Sequence, residues 1–150
     1  MMIRKHEHQI ELPVAPARVF ALLHTPSDIC AWWFASSAIV LPQTNGFWAA
    51  VWGKADEPDY NSAATITVFE PPHYLVLSDF KYFAKTGALP FQAKLTTEFV
   101  VESRNTGALL RVVQDGFPCE PVAHEFYAAC AQGWHATFAS IKRYLTGSES

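Results

Sequence analysis

Charge is scarce in this sequence. Lys, Arg, Asp and Glu make up only 17% of the 150 residues, the eleven basic ones are scattered, and the formal net charge is -3. No basic stripe is present to neutralise a phosphate backbone, so nucleic acid is not an expected partner. Cysteine is rare as well: Cys30, Cys119 and Cys130 are odd in number and form no Cys-x-x-Cys pair. Neither a disulfide framework nor a zinc ribbon is suggested, and the thiols are expected to act as small buried hydrophobes. No apolar run approaches the ~20 residues that span a bilayer, and the opening MMIRKHEHQ lacks the apolar stretch of a secretion signal. A cytoplasmic protein without membrane association is expected. Glycine loops that cradle phosphate, a Gly-x-Ser-x-Gly elbow and a cysteine with a His partner at a recognisable spacing are also missing.

What the chain has in quantity is apolar and aromatic side chains. Half of it is hydrophobic and 14% is aromatic, with five Trp and eleven Phe. That composition requires a packed core, and the length suits one domain over residues 1–150. The aromatic count exceeds what a core of this size needs, so some rings are expected to line a cavity or an interface.

Residues 3 to 12 form a mixed-polarity run stopped by Pro13, the pattern of a first strand. Pro16 then suits the first turn of a short helix whose stripe of Val19, Phe20, Leu22 and Leu23 ends at Pro26. Ser27 or Asp28 is placed to cap a second short helix running toward Trp32 and Trp33. From Phe34 to Asp115 the sequence changes to extended runs rich in Val, Thr, Phe and Tyr, broken by turn residues such as Asn45-Gly46, Pro71-Pro72 and Asn105-Thr106-Gly107. Six strands in an antiparallel meander are predicted, the clearest alternation running from Phe91 to Glu102. Residues 120 to 145 carry the one long helical pattern, with Ala123, Phe126, Tyr127, Cys130, Trp134, Phe138, Ile141 and Leu145 on a single face. At about 1.5 Å per residue such a helix is roughly 39 Å long, enough to cross a small domain, and only the sheet can cover its apolar face.

The order strand, two short helices, six strands, long helix resembles the START-like or helix-grip superfamily. Within it, PVAPARVFALLHTPSDICAWW, NGFW, FEPPHYLVLS, LLRVVQDGF and GWHATFASIKRYLTG together are similar to bacterial homologues of the Hsp90 ATPase activator. The likeness covers nearly the whole chain, and its motifs are packing signatures rather than catalytic ones. It implies an α+β helix-grip fold: a curved antiparallel sheet of about seven strands wrapped on the long helix around an apolar cavity. Its relatives bind mostly apolar molecules, some are aromatase/cyclase enzymes, and the family name implies a chaperone partner.

The residues themselves offer few catalytic groups. His6 and His8 share one face of the first strand, but nothing nearby completes a metal site, and His124 and His135 lie off the apolar face of the long helix. No metal or other cofactor is expected. Asp79 and Asp115 occupy strand positions of undetermined facing, where a buried carboxylate would be a candidate acid or base and a solvated one would not. The aromatics give the positive signal. Trp48 and Trp52 lie four apart on a strand and face the same way, and Trp32 and Trp33 close the second helix, which borders the cavity mouth in this fold. With Phe80, Tyr82, Phe83, Phe117, Phe126, Tyr127 and Trp134 they are expected to wall a ligand pocket, to which Cys130 adds a thiol and Thr97 and Gln114 polar handles. Binding of a small hydrophobic or aromatic molecule is therefore expected ahead of cyclase- or hydrolase-like catalysis in the same cavity, and ahead of a chaperone-regulating interaction. An exposed strand edge or the Trp-rich segment leaves a homodimer open.

Overall fold

A computed structural model describes residues 2–54, 56–87 and 89–147. The first strand, β1 (Ile3–Leu12), leads into two short helices, α1 (Pro16–His24) and α2 (Pro26–Trp32). Six strands follow: β2 (Ser37–Val40), β3 (Phe47–Gly53), β4 (Pro58–Glu70), β5 (Tyr74–Ala84), β6 (Thr96–Arg104) and β7 (Gly107–Pro118). The chain then enters α3 (Pro121–Thr146), which Gly147 closes in the left-handed region at φ 69° while its N–H bonds the Arg143 carbonyl. One seven-stranded sheet results, ordered β1-β7-β6-β5-β4-β3-β2 with every pair antiparallel. It is the expected α+β helix-grip arrangement, with the sheet curved over α3.

Three local expectations are corrected. Thr25 precedes α2 without a side-chain cap. Asp28 is instead buried, takes a bidentate pair from Arg18 at 2.8 and 3.0 Å and accepts from the Tyr144 hydroxyl at 2.6 Å, which ties α1, α2 and the end of α3 together. The Phe91–Glu102 alternation becomes a strand only from Thr96, because β6 has β5 as a partner solely opposite Tyr74–Leu77, and beyond that β5 turns away. Among the cysteines, Cys30 and Cys130 are half-buried, whereas Cys119 is exposed, and all three are free.

Tryptophan organises the junction of helices and sheet. A helix leaves its last carbonyls without intrahelical partners, and α1 ends inside the protein where water cannot serve them. The Trp32 indole donates to the Leu22 carbonyl and the Trp48 indole to the Leu23 carbonyl, each at 3.0 Å. At the end of α2 the Ser140 hydroxyl donates to the Trp32 carbonyl at 2.5 Å and the Trp52 indole to the Trp33 carbonyl at 2.9 Å. Each bond satisfies a buried carbonyl and fixes a ring's plane in the same step.

Two bulges decide which side chains the sheet turns inward. On β5, Leu75 and Leu77 face the core, and strict alternation would send Asp79 after them. The pairing of β4 with β5 slips here, since Ala63 and Thr65 face Lys81 and Ser78, and Asp79 takes the extra residue's place at φ 54°. Asp79 is thereby exposed, and the phase inverts so that Phe80 and Tyr82 point inward while Phe83 is 61% exposed on the convex side. On β7 the same device lies between Gln114 and Phe117, at Gly116 with φ 96°. A Cβ on Gly116 would stand 2.1 Å from the Lys94 carbonyl oxygen, so any other residue would force the backbone to shift. Asp115 is half-buried and accepts from the Gly116 N–H at 2.7 Å.

Histidines gather at the seam between β1 and α3. His6 is buried between Phe117 and Tyr127, with its Nδ1 2.9 Å from Nε2 of His8, and the His8 ring meets His135 of α3 edge-on. Arg4 lies over the Tyr127 ring and bonds Nδ1 of the exposed His124. Among the described residues no group of three or more His, Cys, Asp or Glu is arranged to hold a metal. Burial, and then the neighbouring His8, lower the His6 pKa from 6.5 to about 4, and His8 and His24 are lowered in the same direction by burial.

Two predictions follow from this framework. Below pH 6.5 the unfolded chain takes up protons that the folded imidazoles refuse, so stability should be level above pH 6.5 and decline steadily as the pH falls toward about 4. Denaturant midpoints across that range should fall less steeply for His6→Gln than for the wild type; an unchanged slope would remove His6 from the account. Gly116→Ala, through positive φ and the clash with Lys94, should cost about 2 kcal/mol in urea unfolding, whereas Gly87→Ala, with open space around it, should cost less.

Candidate functional site

The inward phase of the sheet and the apolar face of α3 do not meet everywhere. Between them lies a cavity of about 390 Å³, within the range of small-molecule sites. Trp33 from the end of α2 and Trp48 and Trp52 from β3 form one wall. Phe80 and Tyr82, delivered by the β5 bulge, and Phe117, delivered by the β7 bulge, form the opposite side. Phe126, Cys130 and Trp134 line it from successive turns of α3. Where β6 leaves β5, the connecting chain contributes Leu89 and Leu95 to the lining.

The rings contact one another as a continuous surface. Trp33 stands within 5.6 Å, centroid to centroid, of Trp48, Trp52 and Trp134, and Trp52 stacks on Tyr60 at 4.9 Å. No Asp, Glu, Lys, Arg or His is among the described lining residues. The titratable groups that are present stay neutral. Burial raises the Cys130 thiol pKa to about 11, and burial is also the main cause of the upward shifts of Tyr60 and Tyr82. At the deep end a polar chain crosses from helix to sheet: the Trp134 indole donates to Gln114 Oε1 at 3.0 Å, and Gln114 Nε2 donates to the Thr97 hydroxyl at 3.2 Å.

Of the residues expected from sequence to wall the pocket, the structure brings all but Trp32, Phe83 and Tyr127 to this cavity. Trp32 is fully buried behind Trp33, stacked on it at 4.7 Å and held by the Leu22 carbonyl. Tyr127 lies instead at the seam between α3 and β1, packed on His6 and Phe117 and donating to the Lys5 carbonyl at 2.9 Å. Phe83, Asp79 and Asp115 are also absent from the lining. Sequence reasoning missed Tyr60, Ser62, Leu77, Phe99, Gly133 and Thr137. Gly133 and Thr137 continue the helical face through Cys130 and Trp134, and Tyr60 and Ser62 share a strand face with the buried Ala64 and Ile66. Periodicity alone was enough to find these four.

No helix among the described residues is long and apolar enough to cross a membrane. None of the curated proteins matches the chain. Many solved structures share the fold. A protein from Mesorhizobium loti is 18% identical, with 98% of this chain and 100% of that one covered at a TM-score of 0.77. A protein from Rhodobacter sphaeroides is 20% identical, covering 99% and 100% at 0.75. DynU16, a protein in the dynemicin biosynthetic locus, is 16% identical, and the match covers 96% of this chain but 48% of that one at 0.70. At these identities the likeness is one of fold alone. The family described as "Activator of Hsp90 ATPase homolog 1-like protein" matches residues 13–146, nearly the whole of the folded unit, and the chain belongs to that family.

Proposed function

We propose that this protein binds a small, neutral, largely aromatic molecule in the cavity between the sheet and α3. One observation carries the reading: a cavity of about 390 Å³ walled by aromatic rings, with no charged side chain among its described lining residues. Leaving that volume unfilled forgoes apolar contacts that the rings would otherwise make with protein. Gly133, mid-way along α3 and exposed at the rim of the cavity, leaves room for a side chain there: glycine costs about 1 kcal/mol relative to alanine, and a Cβ would meet nothing within 4 Å.

Binding is better supported than catalysis by this lining. General acid–base work near neutral pH needs a group that titrates there. The thiol and the phenols are all shifted upward, away from that range, and the perturbed histidines sit at the β1–α3 seam or at the end of α1.

The test is native mass spectrometry of freshly purified protein with organic extraction of whatever it retains. Wild type should carry an apolar compound, or take up naphthalene when offered, with quenching of its cavity tryptophans. Gly133→Phe should fold and lose that binding, while Gly133→Ala should gain about 1 kcal/mol in unfolding free energy. A wild-type protein that neither retains nor accepts an apolar molecule would end the proposal.

A further inference from the structure

The polar chain at the deep end of the cavity has a direction, and the direction selects a ligand chemistry. An indole N–H only donates, so the atom of Gln114 facing Trp134 at 3.0 Å is the carbonyl oxygen Oε1. That leaves the amide nitrogen toward β6, where it donates to the Thr97 hydroxyl oxygen at 3.2 Å. Thr97 is 3% exposed and lines the cavity, and its hydroxyl makes no other hydrogen bond among the described residues. Its own proton therefore lacks an acceptor. Gln114 Nε2 also carries a second hydrogen that no described residue accepts. Both are unmet donors in the cavity lining, and the lone pairs that remain belong to oxygens that already accept one bond.

We propose that Thr97 and Gln114, with two unmet donors, form a subsite that recognises a hydrogen-bond acceptor, so that the ligand is a neutral planar molecule bearing a carbonyl oxygen at its inner end. The inference rests on the binding role proposed above and narrows it. A carbonyl oxygen has two lone pairs and can take a proton from each donor. An apolar ligand would leave both donors without partners in a desolvated pocket, at a cost that water can no longer offset. A ligand whose inner end only donates, such as an ammonium, would leave both hydrogens unmet and reach only the second lone pairs of oxygens already engaged. An ionised carboxylate would bring a charge into a lining that holds no described counter-charge. Trp134 acts as a positioning residue: it holds the amide with its nitrogen toward Thr97, and without the indole the amide is free to turn over.

The experiment compares 9-fluorenone with fluorene, two planar molecules that share a skeleton and differ in one carbonyl oxygen, by quenching of the cavity tryptophans. Wild type should bind fluorenone about tenfold more tightly, as expected for one well-placed buried hydrogen bond. Thr97→Val keeps the shape and removes the donor; it should lose most of that preference while its fluorene affinity stays level. Thr97→Ser restores the hydroxyl and should restore the preference, and thermal melts of both variants report whether the fold persists. Should Thr97→Val fail to fold, Gln114→Leu is the alternative, with the same loss of preference expected. Equal affinity of wild type for the two probes would overturn the donor subsite and leave the cavity's binding role standing, whereas binding of neither would overturn both.

Discussion

The fold depends on how buried helix ends obtain hydrogen bonds. Helices α1 and α2 are too short to expose both ends to water, and their final carbonyls point into the space beneath the sheet. Indole N–H groups from Trp32, Trp48 and Trp52 satisfy three of them, and the Ser140 hydroxyl of α3 satisfies a fourth. An unserved buried carbonyl costs about 1–3 kcal/mol, so these bonds weigh heavily against the small net stability of a domain. They also hold large rings in fixed planes. Trp48 and Trp52 are anchored by their nitrogens at the helix ends and present their faces to the cavity, so the wall of the site and the cap of a helix are the same residue.

The second constraint is the mismatch between a flat alternating strand and a curved sheet. A sheet with strict period two would turn Asp79, Lys81 and Phe83 inward on β5, placing two charges in an apolar space. One inserted residue on β5 and another on β7 remove that conflict and bend the sheet toward α3. The positive φ values at Asp79 and Gly116 are the local expense of aiming Phe80, Tyr82 and Phe117 at the same volume. Beyond Leu77, β5 and β6 no longer pair, and the connecting segment lines the cavity there instead of closing it.

These two constraints leave a particular kind of interior. Every ionisable group of the described lining is held in its neutral form by burial, and the ion pair that does enter the protein, Arg18 with Asp28, is kept at the far side of the helices. The polar groups that remain in the cavity are arranged by donor and acceptor rather than by charge. The Trp134–Gln114–Thr97 chain links α3 to β7 and β6, and it requires that α3 keep its register against β7.

Much of the architecture was legible from residue order. Prolines at 13, 16, 26 and 121 and turn residues between extended runs bounded the elements. The eight-residue apolar face of the last helix required a sheet to cover it, and Trp48 with Trp52 announced one wall of the cavity. Periodicity works for these because it is local: side-chain direction repeats every two residues in a strand and every 3.6 in a helix. It fails where the backbone changes phase. Strand facing at Asp79 and Asp115 stayed open because a bulge is settled by the neighbouring strand's pairing, and β6 began later than its alternation suggested because β5 had moved out of reach. Trp32 and Asp28 were misplaced for a related reason. Whether a Trp walls a cavity or caps a helix, and whether an Asp caps a helix or clasps Arg18 and Tyr144, depends on partners distant in sequence, which only the assembled tertiary structure brings within bonding distance.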